Sequence, residues 1–203
     1  MNVSQDEARE TLDQIEDVRQ RTKKMVACAG GDICFIVWGV IWFIGFLSTH
    51  LFGYARITWS GIAIGSIWLV LVATGIVVSI IVEKRRAAVK STIGKRVGVF
   101  WWLLYAYVYL WIGLLFPFIE VHGHAESVMF WNRFGAIAAT VPMFAYVVTG
   151  LWLEHFMVWL GLAVTALTIL GLFLLQPYFY IWMAVVGGGT LAGTGLFIRN
   201  RWK

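Results

Sequence analysis

Four side chains able to bind a metal ion lie between two long apolar segments, Glu120, His122, His124 and Glu126, and the polar residues Asn132 and Arg133 follow near the beginning of the second segment. In an extended loop alternate residues point to the same side, so Glu120, His122 and His124 would converge. Imidazole nitrogen and carboxylate oxygen are ligands of zinc and copper. The spacing predicts a metal site, and a solvated connector without a metal is the alternative.

Arg133 lies roughly one to two helical turns inside the apolar segment that follows this loop. A guanidinium at that depth must reach the membrane surface or find a carboxylate. One interpretation is an ion pair with Glu126 or Glu120, and the other is a site for an anion or a lipid headgroup. We place His50, at the end of the first apolar segment, in the same predicted ligand or ion-pair cluster. Histidines that titrate near pH ~6.5 would let this cluster sense external acid.

Motifs of known catalytic sites are missing from the sequence. It contains no phosphate-binding P-loop, no zinc-peptidase helix and no serine-hydrolase elbow. No Lys lies within an apolar segment to form a Schiff base. We therefore expect a protein that is not an enzyme and that holds no cofactor.

The elements that must position these groups are membrane helices. Of the 203 residues, 60% are hydrophobic and 13% are charged, whereas soluble domains carry about 25% charged residues. Apolar runs of roughly 20 residues can cross a bilayer as helices. Six such runs occur, at residues 33–51, 57–82, 97–119, 128–151, 156–175 and 178–198. We predict an all-α fold in which residues 32–203 form a polytopic bundle of six transmembrane helices.

Small residues and repeated dipeptides suggest how these helices pack. Residues spaced by four let helices approach closely, which predicts packing at Gly61 with Gly65 and at Gly189 with Gly193. Thr-Gly pairs recur at residues 74–75, 149–150 and 194–195, toward the same end of three returning helices. This recurrence favours three helical hairpins in one orientation.

The basic residues predict the orientation of the bundle. All 16 Lys and Arg residues except Arg56 and Arg133 lie before the first run, between the second and third, or after the sixth. The positive-inside rule then places both termini in the cytoplasm, with the bundle in the inner (plasma) membrane. Because topology accounts for the net charge of +5, we expect no direct binding of nucleic acid. The lipid bilayer is the first partner.

Residues 1–31 form a separate cytoplasmic segment. Ser4 and Glu7 make a capping box, and apolar residues then recur at steps of three and four until Gly30-Gly31. This pattern predicts one amphipathic helix ending at a Gly-Gly hinge. The helix is either a solvated extension lying against lipid headgroups or a binding site for a cytoplasmic protein. In the second interpretation, the contact residues are Leu12, Ile15, Val18 and Arg19.

Both ends of the chain resemble a known group of proteins. The sequences FIVWGVIWFIGF at 35–46, YIWMAVVGGG at 180–189 and IRNRWK at 198–203 look like those of uncharacterised bacterial six-helix membrane proteins, which are often encoded beside small winged-helix regulators. The resemblance implies association with a regulatory partner and supplies no catalytic residues.

These patterns favour a non-enzymatic membrane protein that senses a membrane or external condition, or that anchors a cytoplasmic partner, through residues 1–29 and the basic loop at 84–96. The alternative is a transporter or channel subunit, in a homo-oligomer, that moves a small neutral or hydrophobic solute. Its path would be lined by hydroxyl groups and aromatic side chains. The deep tryptophans Trp38, Trp42, Trp68 and Trp111 would either pack in the core or line an apolar ligand cavity.

Overall fold

The computed structural model describes residues 9–14, 16–17, 30–53, 61–86, 92–115, 124–152 and 155–201, and nearly all of these are helical. The helices are α1 at Gly31–Gly53, α2 at Gly61–Arg86, α3 at Thr92–Leu115, α4 at His124–Trp152 and α5 at His155–Leu174. The last helix, α6, covers Gln176–Arg201. It begins with a 3-10 turn and contains a π-helical segment at Met183–Gly188.

Five of these helices are long and apolar enough to cross a membrane: α1, α2, α4, α5 and α6. A helix of 20 residues spans about 30 Å, the thickness of a bilayer core. Within α3, the described apolar part is shorter and covers Gly98–Val108. The fold is therefore that of an all-helical membrane protein with five candidate spans, and the sixth span stays a prediction.

The core of the bundle lies among α1, α4, α5 and α6. The most extensive contacts join α4 to α5 and α1 to α6. Helix α2 packs mainly on α1. Helix α3 touches α4 at few points. The predicted arrangement of three separate hairpins is therefore not confirmed. Helix α1 packs on α6, and the most extensive contact joins α4, from the predicted second hairpin, to α5, from the third.

The bundle has two ends, here called distal and proximal. The distal end carries residues 53, 124 and 174–178, and the proximal end carries residues 31, 152, 155 and 201. Successive helices run in opposite directions between these two ends. The assignment of the proximal end to the cytoplasm stays a prediction.

The contact between α1 and α6 depends on glycine at its closest point. A Cβ atom on Gly39 would lie 2.5 Å from the backbone N of Ala192 and 2.7 Å from the carbonyl O of Gly188. A Cβ atom on Gly188 would lie 2.8 Å from the carbonyl O of Gly39. The two backbones therefore touch, and only residues without a Cβ atom fit there.

The glycines predicted as packing positions lie elsewhere. A Cβ atom on Gly65, Gly189 or Gly193 would meet no atom of the described chain within 4 Å, and the surroundings of Gly61 lie outside the described side chains. The glycines of the Thr-Gly pairs, in contrast, each lie against another helix. A Cβ atom on Gly75, Gly150 or Gly195 would lie 2.6 Å from an atom of Ile41, Val158 or Asp32, respectively.

Candidate functional site

A cavity of about 140 Å³ lies at the distal end, where the ends of three helices meet. Its walls come from the beginning of α4, the end of α5 and the beginning of α6, and its lining residues are Met129, Asn132, Arg133, Leu172, Phe173 and Gln176. Residues 129, 132 and 133 share one face of α4 because they are spaced by three and four. The cavity therefore combines a cation and amides with an apolar wall.

Hydrogen bonds between helices hold these walls in place. Asn132 is 1% exposed, and its Nδ2 donates to the carbonyl O of Gln176 at 3.0 Å. The hydroxyl of Tyr180 donates to the carbonyl O of Trp131 at 2.7 Å. Both bonds attach α6 to α4 beside the cavity. Since buried polar groups without partners are costly in lipid, these bonds also favour a single register between the two helices.

We expect Asn132→Leu to lower the stability of the bundle by about 1 kcal/mol, the net contribution of one hydrogen bond. The effect is moderate because the carbonyl of Gln176 also accepts from the backbone N–H of Phe179. The matched control is Thr168→Val, since the hydroxyl of Thr168 donates only to Val164 within its own helix. Unfolding by SDS in mixed micelles measures both, and an equal loss in the two variants would contradict the bridging role of Asn132.

Arg133 is an exposed residue within the candidate span of α4, Val128–Leu151. It lies between one and two turns from the beginning of this span, about 7 Å along the helix axis. A guanidinium stays charged at any physiological pH, so it must be solvated or paired at this depth. Among the side chains that the structure describes at the distal end, none is a carboxylate. The ion pair with Glu126 or Glu120 stays a prediction, because those two side chains lie outside the described part.

His50 lies at the same end of the bundle as Arg133 but not in the cavity lining. Its ring is 6.5 Å from the ring of Tyr178, centroid to centroid. Tyr178 follows Gln176 by two residues and is 61% exposed. The structure therefore brings His50 to the beginning of α6 through an aromatic contact, and the cavity walls are formed by other residues.

The predicted metal ligands lie outside the described side chains. Glu120 and His122 lie outside the described residues, and His124 and Glu126 belong to α4 without described side chains. Elsewhere in the described chain, no three His, Cys, Asp or Glu residues are close enough to hold a metal ion. The metal site at residues 120–124 stays a prediction.

The deep tryptophans pack between helices, and their N–H groups join neighbouring elements. Trp42 is 7% exposed and belongs to the core. Three indole N–H groups donate to another helix: Trp38 to Ser79 Oγ at 3.3 Å, Trp68 to Thr49 Oγ1 at 2.9 Å and Trp182 to the carbonyl O of Leu167 at 2.8 Å. The side chain of Trp111 lies outside the description. Among the described tryptophans, these bonds favour a packing role over the lining of a path.

Asp32 is a buried acid whose complete burial was not expected from the sequence. It lies in the first turn of α1 and is 0% exposed. A carboxylate at this position is favoured by the helix dipole. The preceding Gly30 has φ of 91°, a left-handed conformation that glycine adopts without strain. In the sequence, the only indication of this buried acid is its position directly after Gly30-Gly31.

The N-terminal helix is exposed wherever the structure describes it. Residues 9–14 and 16–17 are helical and all exposed, and Leu12 is 65% exposed. The other predicted contact residues, Ile15, Val18 and Arg19, lie outside the described part. The apolar side chain of Leu12 is thus not covered by the bundle.

The fold and these sites define a polytopic helical membrane protein. Comparisons with protein-family models, with curated proteins and with solved structures find no match to this chain. The resemblance to bacterial six-helix proteins stays a prediction.

Proposed function

We propose that this protein is a membrane anchor or sensor that holds a cytoplasmic protein through its N-terminal helix. The observation that carries the proposal is the exposure of that helix, in which Leu12 presents 65% of its surface. An apolar side chain on a charged helix gains free energy when a partner removes it from water, about 25 cal/mol per Å² of apolar surface. Apolar residues at steps of three and four are the usual anchors of a helix that binds in a groove.

The charges of the N-terminal segment differ between its two parts. Residues 6–17 carry six acidic residues and one basic residue, Arg9, whereas residues 18–29 carry four basic residues and no acid. Helices that lie on membranes are rich in Lys and Arg, because the cytoplasmic leaflet is negatively charged. The acidic part around Leu12 is therefore repelled from that surface, and the basic part next to the first span is attracted to it. The partner that fits the acidic part is a cytoplasmic protein with an apolar groove bordered by basic residues.

The packing of the bundle supports an anchor more than a transport path. Trp38 and Trp68, which a path would need on its lining, instead donate hydrogen bonds between α1 and α2. The hydroxyl of Thr168 is buried and donates within its own helix. These two indole groups and this hydroxyl are thus used for packing. The proposed location is the inner membrane with both termini in the cytoplasm, as the basic residues indicate.

The test is affinity capture from native membranes in mild detergent, read by mass spectrometry. We expect Leu12→Glu to reduce recovery of the partner by tenfold or more, because about 1.4 kcal/mol of lost apolar contact corresponds to a factor of ten. Gln14→Glu is the matched control. It adds the same charge on the opposite face of the helix, since two residues correspond to about 200° of rotation. We expect its recovery to equal that of the native chain.

A third variant lacking residues 1–29 should lose the partner entirely while keeping the unfolding behaviour of the bundle. The proposal fails if all three variants and the native protein recover the same proteins. It also fails if the loss occurs equally in Leu12→Glu and Gln14→Glu, since a general effect of charge would then replace a specific apolar contact.

A further inference from the structure

We propose that the distal cavity binds the phosphodiester of a phospholipid in the adjacent leaflet, with an acyl chain lying along the end of α5. The site lies at the opposite end of α1 from the N-terminal segment. It is independent of the partner proposed above. Four properties of the cavity support this assignment: its size, its charge, its rigidity and the exposure of its apolar wall.

The size of the cavity restricts its occupant. Its volume is about 140 Å³, well above the ~10–15 Å³ needed for a single water. It falls short of the ~300–1,000 Å³ typical of pockets for drug-sized molecules. A compact group fits inside, and the remainder of a larger molecule would have to lie outside the cavity. A phosphodiester with its chains on the helix surface has that shape.

The charge of the cavity selects an anion. Arg133 places a permanent cation in the wall, and a guanidinium pairs with phosphate oxygens through two parallel hydrogen bonds. Its position about 7 Å inside the span matches the boundary between headgroups and hydrocarbon rather than the bilayer centre. A phosphate from that boundary could reach Arg133 without entering the core of the bilayer.

The cavity is built on a rigid part of the molecule. Asn132 joins α4 to Gln176, and Tyr180 joins α6 to Trp131, so two hydrogen bonds of 3.0 and 2.7 Å keep the helix ends together. Nearby Gly135 lies against the ring of Tyr180, with a Cβ position 3.1 Å from that ring. A site held in its binding geometry loses little conformational entropy when its ligand arrives.

The apolar wall distinguishes a lipid from a soluble anion. Phe173, in the cavity lining, and the adjoining Leu174 are each 73% exposed, and Met129 on the opposite wall is 40% exposed. A free phosphate ion would gain nothing from these surfaces. An acyl chain attached to a bound phosphate would lie directly on them and gain dispersion contacts along its length.

The experiment titrates delipidated protein with three probes and counts bound molecules by native mass spectrometry. The probes are dimyristoyl phosphatidylglycerol, dimyristoylglycerol without a phosphate, and inorganic phosphate without chains. We expect the native protein to bind the phospholipid at least about tenfold more tightly than either other probe. Arg133→Gln should weaken phospholipid binding by about tenfold or more, because it removes a charge-assisted hydrogen bond.

Two further variants complete the test. Arg199→Gln removes the same charge from an exposed residue at the proximal end, and its affinity should equal that of the native protein. Leu172→Trp enlarges a wall residue while keeping Arg133, and it should weaken phospholipid binding as strongly as Arg133→Gln.

Three outcomes would overturn the proposal. Unchanged affinity in Arg133→Gln would show that the arginine serves another group, such as Glu126. Equal binding of dimyristoylglycerol would remove the role of the phosphate. Equal binding of inorganic phosphate would make this a site for a soluble anion instead of a lipid.

Discussion

Truncation of Phe179 to Ala is expected to destabilise the bundle by about 3–5 kcal/mol, the range for removal of a buried aromatic side chain. Phe179 is 0% exposed. Its ring makes an edge contact with Tyr180 at 5.3 Å between centroids and lies 3.5 Å from the Cβ position of Gly135. The neighbouring helices cannot collapse fully into the space left behind. The measurement is unfolding by SDS in mixed micelles, followed by tryptophan fluorescence.

The matched control is the same truncation at Phe173. This residue is 73% exposed, so its side chain contacts detergent in both the folded and the unfolded protein. We expect Phe173→Ala to change stability by less than about 0.5 kcal/mol, as exposed substitutions usually do. A loss in Phe173→Ala as large as that in Phe179→Ala would contradict the position of the core between α4 and α6.

The lengths of α4 and α5 were predictable because they depend on local sequence alone. The apolar run at residues 128–151 was predicted from composition, and the structure places a candidate span at Val128–Leu151. The run at 156–175 corresponds to a helix at His155–Leu174. An apolar run ends where polar residues begin, and this is visible without knowledge of any neighbour.

The contacts between helices were not predictable in the same way. In lipid both faces of a helix can be apolar, so apolar periodicity no longer marks the buried side. Gly188 and Gly189 are adjacent and identical in type. The first lies against the backbone of Gly39, and the second has no neighbour within 4 Å. The two glycines differ only in the side of α6 on which they lie. Which side faces another helix depends on the rotation of α6 about its axis, and this rotation is set by helices distant in sequence.

The distal site was predicted in part. Arg133 was recognisable because a cation inside an apolar run is rare and costly. Its surroundings were not, since Asn132 reaches Gln176 across 44 positions in the sequence. The cavity forms where three helix ends meet, and this meeting depends on tertiary packing. The burial of Asp32 has the same origin, because α6 covers the beginning of α1 at Gly195.

Replacement of Gly188 by Ala is expected to destabilise the bundle by about 1–3 kcal/mol, the usual cost of adding an atom to a full interface. The new Cβ atom would lie 2.8 Å from the carbonyl O of Gly39 and 2.9 Å from the backbone N of Phe43. Both are backbone atoms of α1 and cannot rotate away. The two helices must therefore separate at their closest contact, and Gly39→Ala should have a similar effect from the other side.

Gly193→Ala on the same helix is the control, because its Cβ atom would meet no atom within 4 Å. Ala is a better helix former than Gly by about 1 kcal/mol, so this variant should be at least as stable as the native protein. Comparing Gly188→Ala with Gly193→Ala separates the effect of the helix contact from the effect of helix propensity, because both changes add the same methyl group to α6. Equal stability of Gly188→Ala and Gly193→Ala would contradict the close approach of α1 and α6, and with it the closure of the bundle between its first and last spans.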